Sequence, residues 1–283
     1  MRTVFVCTTL ALFALVATAN GQSTEAKPEK PVSPAAQNPA AAKPDAPQAS
    51  GQAADATEPW TDPKIIEKVK NELKAAFDAN KSYTCTMIAR QFMELGSGNY
   101  MESEHIGPVE WYRANNRIHL RQEHDGYSVS SFNGKVDRRT DRALVIVDGE
   151  FYYRLTDTEG KLYASKASII PATYGDPEVL INAMTKAEDV RLLKDEKLEG
   201  AECYVFEASP RRVTPLQPAK TLHYFRKDGG FIVLRVGFTA NGQEMFRIEA
   251  KDVKRNVEIP MERFKFEVPP GVELRDATLP SGG

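Results

Sequence analysis

From residue 125 onward the chain is interrupted at short intervals by seven dipeptides in which Asp, Asn or Glu precedes Gly: Asp125-Gly126, Asn133-Gly134, Asp148-Gly149, Glu159-Gly160, Glu199-Gly200, Asp228-Gly229 and Asn241-Gly242. Asn-Gly and Asp-Gly tolerate the positive φ angles of tight hairpins, so a chain cut in this way folds into short antiparallel strands. Strand-like segments lie between the cuts and before them: Tyr83–Glu94, Arg117–His124, Ala143–Val147, Phe151–Thr156, Cys203–Ser209, Leu222–Lys227, Phe231–Phe238 and Glu244–Lys251. In the last of these Phe246, Ile248 and Ala250 alternate with Met245, Arg247, Glu249 and Lys251, the period-two pattern of a strand with two unlike faces. About ten to twelve strands in an antiparallel meander are expected, too many for a small flat sheet, which at that number curls or splits.

Two helices interrupt the strands. Asp62-Pro63 has the form of a helix start, a side-chain cap followed by proline at the first helical position. Ile65, Ile66, Val69, Leu73, Ala76 and Phe77 then recur at helical spacing, opposite Lys64, Lys68, Lys70, Glu72 and Lys74, and this helix is expected to end near Asn80. The longest interval between turn signals, Gly160 to Glu199, holds the second helix. Asp176-Pro177 repeats the cap-and-proline start, and Val179, Leu180, Ala183, Met184 and Ala187 form its apolar stripe. The order helix, strands, helix, strands predicts an α+β fold, a curved antiparallel sheet with the helices segregated to one side.

The domain that these elements build spans 62–283. Ahead of it Met1–Ala19 reads as a secretory signal: Arg2 supplies the charged start, Val4–Val16 is largely apolar, and Ala17-Thr18-Ala19 is an A-x-A cleavage site. The rival reading, a membrane anchor, needs about 20 apolar residues, more than this stretch provides. Cys7 lies inside the apolar stretch and leaves with the signal. Asn20–Thr61 follows, 42 residues with 11 Ala and 7 Pro, one Val and one Trp, and no Leu, Ile, Phe, Met or Tyr. A segment of that kind has too little apolar surface to offset the ordering of its backbone, so it reads as a disordered Ala/Pro-rich linker. The 283-residue chain has a formal charge of −2, and loss of Arg2 leaves 36 basic against 39 acidic side chains. Without a basic excess the chain is not built for nucleic acid, whose phosphates carry that affinity.

Several local motifs resemble one family. The tail Ile259-Pro260-Met261-Glu262-Arg263-Phe264-Lys265-Phe266-Glu267-Val268-Pro269-Pro270-Gly271-Val272 is similar to a closing F-x-F-x-x-P-x-G-V segment, and Trp111-Tyr112-Arg113-Ala114-Asn115 to a strand end with an aromatic followed by Arg-Pro-Asn. Ala143–Tyr153 looks like the next strand pair, and Asp176–Ala187 falls where a lid helix is found. These resemble the LolA-like family of periplasmic lipoprotein carriers, over most of Asp62–Thr278. Ala114 departs from the motif by replacing its proline, and Ile118–Arg142 leaves room for an additional hairpin. The resemblance implies a strongly curved, open β-barrel around an apolar cavity, with the N-terminal helix and a lid helix covering it. It places Ile66, Val69, Leu73, Leu180, Ala183, Met184, Phe246 and Ile248 at the cavity and lid. It makes Arg113 the lid latch, the alternative being a solvated charge at a strand end. The bland alternative for the apolar stripes is permanent core.

Chemistry is sparse. His105, His119, His124 and His223 are scattered, with no paired metal-ligand spacing, and no nucleophile elbow or phosphate-binding glycine loop occurs. No catalytic residue, metal site or cofactor is expected. Arg138, Arg139 and Arg142 are interleaved with Asp137 and Asp141, a solvated hairpin or a contact for lipid headgroups. Cys85 and Cys203 remain after cleavage; in an oxidising compartment an even pair suggests a disulfide, and the alternative is two buried thiols. The leading expectation is an exported, monomeric, non-enzymatic carrier of acyl chains of lipids or lipoproteins, periplasmic as the resemblance implies, with transient contacts to envelope membrane proteins. The competing class is an envelope-stress sensor of the RseB-like type, which the long linker favours. An enzyme has the least support.

Overall fold

The structure, a computed structural model, describes residues 61–115, 117–168, 175–212, 214 and 216–276. The predicted signal segment and, except for Thr61, the predicted linker lie outside the described residues. Both helices begin as their caps dictate. Helix α1 (Pro63–Ala79) starts with the Asp62 carboxylate accepting from the Lys64 N–H at 2.9 Å, and α2 (Pro177–Ala187) with Asp176 accepting from the Glu178 N–H at the same distance. Proline at the first helical position costs no hydrogen bond, because that N–H has no helical partner.

Among the described residues thirteen strands form one sheet. In chain order they are β1 (Ser82–Gly96), β2 (Asn99–Ala114), β3 (Arg117–Phe132), β4 (Lys135–Asp148), β5 (Phe151–Thr158), β6 (Lys161–Ser168), β7 (Glu188–Leu192), β8 (Glu196–Leu198), β9 (Ala201–Pro210), β10 (Lys220–Arg226), β11 (Ile232–Phe238), β12 (Glu244–Arg255) and β13 (Leu274–Asp276). They lie in the order β13-β6-β5-β4-β3-β2-β1-β12-β11-β10-β9-β7, with β8 also on β9. All pairs are antiparallel except β13 with β6. Two meanders are therefore joined by the non-local pair β1–β12, and the sheet ends on β13 and β7 without closing by hydrogen bonds. This architecture fits an open, curved, barrel-like sheet.

The room left at Ile118–Arg142 is filled by one long hairpin, β3 and β4, turning at Asn133-Gly134, where φ is 51° and 76°. One predicted turn is corrected. Asp125-Gly126 lies inside β3, where Gly126 pairs with His105. A Cβ on Gly126 would stand 2.1 Å from the Glu104 carbonyl oxygen and 2.5 Å from the His105 ring, so this glycine serves a close cross-strand approach and not a bend.

Among the described residues the buried apolar side chains form two clusters. One runs along the sheet and includes Tyr83, Cys85, Met87, Val109, Trp111, Val145, Val147, Val205 and Val236, together with Phe77 from α1. The other lies between the helices and β7, β9 and β10. The C-terminal segment is held by aromatic contacts: Phe264 is buried and stacks on Tyr112, and Phe266 stacks on Tyr153 at 4.8 Å.

Candidate functional site: the helix pair and the sheet beneath it

The helix stripes meet where their periodicity directs them. Ile66, Val69 and Leu73 of α1 and Leu180, Ile181 and Met184 of α2 share one buried cluster with Leu192, Phe206, Ala208 and Phe225. Five of the eight positions assigned to the cavity and lid, namely Ile66, Val69, Leu73, Leu180 and Met184, are thus brought together. Ala183 sits half-buried on the same helix. Phe246 and Ile248 of β12 lie apart from that group: Ile248 packs on the sheet cluster, and Phe246 lies under the Arg235 guanidinium at 5.5 Å. The helices are tied to each other by a hydrogen bond from Lys70 Nζ to Asn182 Oδ1 at 3.0 Å, and α1 to the sheet by one from the Tyr204 hydroxyl to Glu72 Oε2 at 2.5 Å. Between α1, α2 and β7 opens a groove of about 560 Å³, with Ile66, Ile181 and Val190 along its length and Lys70 and Arg211 among its polar residues.

Arg113 acts on a different helix from the one the family motif indicates. Its Nη2 donates to the carbonyls of Phe77 at 2.7 Å, Asp78 at 2.6 Å and Asn80 at 3.2 Å, and its Nη1 donates to Asp78 Oδ1 at 2.8 Å. The guanidinium also lies 4.9 Å from the Phe77 ring centroid. A cation at a helix C-terminus satisfies carbonyls that have no helical donor and favours the negative end of the dipole. Arg113 therefore locks the end of α1, not the lid helix α2. Across the joint Gly230, at φ 71°, allows the β10–β11 turn to touch α1: a Cβ there would come within 2.2 Å of the Leu73 carbonyl oxygen.

Two groups of polar side chains are buried or half-buried in the sheet, one on β10 and β11 and one on β2, β3 and β4. His223 of β10 pairs with Phe206 on β9 and Arg235 on β11, so all three side chains share one face of the sheet. Burial holds the His223 imidazole well below its ordinary pKa, with the nearby Arg235 charge adding to the effect. Burial also lowers Arg235 to about 10, against the opposing pull of Glu188, the residue that ends α2; burial raises the Glu188 carboxyl. A lone arginine in the apolar run Phe231–Phe238 was the available signal for this group.

The second group corrects the expectation of scattered histidines. His105 reaches across Gly126, and its Nε2 lies 3.0 Å from Asp141 Oδ1, while its ring meets that of His124 edge-on at 5.5 Å. Burial lowers His124 to about 4, with the charge of His105 contributing, and the His105 hydrogen bond holds Asp141 below its usual value. Among the described residues no group of three or more His, Cys, Asp or Glu side chains is placed to hold a metal ion. The proposed disulfide is also corrected. Cys85 and Cys203 are free, buried thiols on β1 and β9, with β12, β11 and β10 lying between those strands in the sheet. Burial raises the thiols to about 12 and about 11 respectively.

No family model matches the chain. An uncharacterised protein of Methanocaldococcus jannaschii is 26% identical over 137 residues, which are 47% of this chain and 38% of that protein. The chain thus spans well under half the length of that curated relative. Among solved structures, the MucA/MucB complex of Pseudomonas aeruginosa matches with a TM-score of 0.36 and 13% identity, over 72% of this chain and 61% of that one. A putative outer-membrane lipoprotein-sorting protein domain of Vibrio parahaemolyticus matches with a TM-score of 0.31 and 11% identity, over 70% and 97%. A LolA superfamily protein of Nitrosomonas europaea matches with a TM-score of 0.26 and 9% identity, over 71% and 97%. Among the described residues no helix is long and apolar enough to cross a membrane.

Proposed function

We propose that this protein is an exported, non-enzymatic binding protein that takes an acyl chain of a lipid or lipoprotein between the α1–α2 pair and the sheet. The observation that carries the reading is the division of the interior. The helix pair closes on β7, β9 and β10 through a cluster of its own, separate from the cluster that runs along the sheet. A cover seated on a separate core can lift without unpacking the sheet, and lifting it would uncover Leu180, Met184, Phe206 and Phe225, which are buried against one another in the closed form. Each methylene transferred there from water is worth about 0.8 kcal/mol. The fixed end of α1, held by Arg113 and Gly230, would serve as the pivot. Binding of this kind needs no nucleophile or metal.

Organic extraction of the purified protein followed by mass spectrometry tests the reading, together with uptake of a fluorescent fatty acid. The expected result is a stoichiometric acyl lipid, or saturable uptake by the delipidated protein. Repeated extraction without lipid, with no uptake of the probe, overturns it.

A further inference from the structure

Strands β1 to β4 are 14 to 16 residues long, and their neighbours do not follow them to the end. Strand β12 pairs with β1 only as far as Gln91, and β5 pairs with β4 only from Asp141. Beyond those points the two hairpins run on together as a four-stranded arm. At about 3.3 Å per residue, it extends ~17–20 Å past the flanking strands. Every residue from Phe132 to Thr140 is exposed.

The arm carries large apolar side chains on both faces. Cross-strand partners point to the same side of a sheet, and neighbours along a strand to opposite sides. The pairs Phe92 with Glu102, Glu102 with Val129 and Val129 with Arg138 define one face, which also holds Tyr100 and Val136 through Ser131. The pairs Met93 with Met101, Met101 with Ser130 and Phe132 with Lys135 define the other. Phe92 and Val136 are 44% and 59% exposed on the first face, and Met101 and Phe132 are 38% and 47% exposed on the second. Each face also bears a cation that pairs with no carboxylate among the described residues: Arg138, which lies over the Tyr127 ring at 4.7 Å, and Lys135. Arg139 is neutralised by Asp137 at 2.7 Å, and Asp141 is taken by His105.

A protein partner covers one face of such a blade. Apolar side chains and an unpaired cation on both faces of the same arm suit surroundings that enclose its end from all sides. We infer that the tip of this arm, around the Asn133-Gly134 turn, inserts into the interface of a lipid bilayer carrying anionic headgroups. Phe132, Val136 and Met101, the apolar residues nearest the turn, enter the apolar boundary; Arg138, three residues behind Lys135 and level with Phe92, and the Lys135 ammonium, which snorkels back along its stem, meet the headgroup phosphates. The inference deepens the acyl-chain reading by supplying the surface from which such a ligand is taken, and rests on it only for that purpose.

Flotation of the full chain with phosphatidylethanolamine vesicles, with and without phosphatidylglycerol, is the test. The wild type is expected to float with the vesicles, more strongly with phosphatidylglycerol and less at high salt. The double substitution F132D/V136D is expected to reduce binding about tenfold, and K135A/R138A to remove most of the salt dependence. Both variants should take up fluorescent fatty acid from solution as the wild type does, because the arm lies away from the helix pair. Absence of flotation, or flotation unchanged in F132D/V136D, overturns the inference. So does a wild-type dimer that F132D/V136D dissociates, since the arm would then be a contact between copies. Loss of fatty-acid uptake with vesicle binding intact counts against the acyl-chain reading alone.

Discussion

His124 shows at the scale of one residue how burial becomes a property of the whole protein. Its folded pKa of about 4 lies below the ordinary 6.5, burial being the main cause and the neighbouring charges of His105 and Arg154 adding to it against Asp141 and Asp125. The unfolded chain therefore binds more protons than the folded one between those values, so stability falls as pH is lowered from about 6.5 toward about 4. His223 and His119 are shifted the same way by burial and add to the same window. Chemical denaturation between pH 7 and 4.5 should show a loss on the order of 2 kcal/mol, and His124→Gln should flatten part of it. A stability constant across that range would contradict the assignment. For the cysteines the expectation is equally direct: intact mass after denaturation and alkylation without reductant should show Cys85 and Cys203 both labelled, and the folded protein should react slowly, because burial keeps both thiols protonated. Turn glycines at this scale were legible where the demand is local, as at Asn133-Gly134. Gly126 was misread because its reason lies in the His105 ring on the next strand, which no local pattern reveals.

At the scale of elements, both helices could be read from the sequence to within a residue or two, because cap, proline and stripe are local signals that agree. Their attachment could not. The motif around Trp111 identified Arg113 as a residue that holds a helix, yet the helix it holds is α1, and that follows only from the pairing of β2 with β1 and the position of Asn80 beside it. Arg113→Ala removes donors from three carbonyls at a helix end, and a loss of about 1–3 kcal/mol is expected. Arg113→Lys should restore only part of this, since an ammonium lacks the planar fork that reaches several carbonyls together. At the opposite side of the same joint, Gly230→Ala meets two obstacles, a left-handed φ and a clash with the α1 backbone. It should cost about 3 kcal/mol or more. Thermal or denaturant unfolding of these three variants would check the ranking, with Gly230→Ala the most damaging; a neutral Gly230→Ala would show that α1 does not rest on the turn.

For the whole molecule, the sequence supplied the class of sheet and the local meanders, while the pairing of β1 with β12 joins residues more than 150 positions apart and leaves no short-range trace. The same non-local pair explains why the interior divides. Strands β1 to β4 and β9 to β12 share the longer cluster, and the helix pair is left with β7, β9 and β10 as its own support. Cooperative units in a protein follow such divisions of packing, so the two regions should open with different free energies. Hydrogen exchange should find the amides of α2, β7 and the first half of α1 exchanging together and faster than those of β2, β3 and β11. Leu180→Ala, which leaves a cavity in the helix cluster alone, should cost about 3 kcal/mol there. It should raise exchange in α1 and α2 while leaving the β2–β3 amides near their wild-type rates, because distant sites without shared partners act nearly independently. If α2 proved as protected as β3, or if Leu180→Ala loosened the whole sheet equally, the interior would be one cooperative core, and a cover that lifts from a standing sheet would have no physical basis.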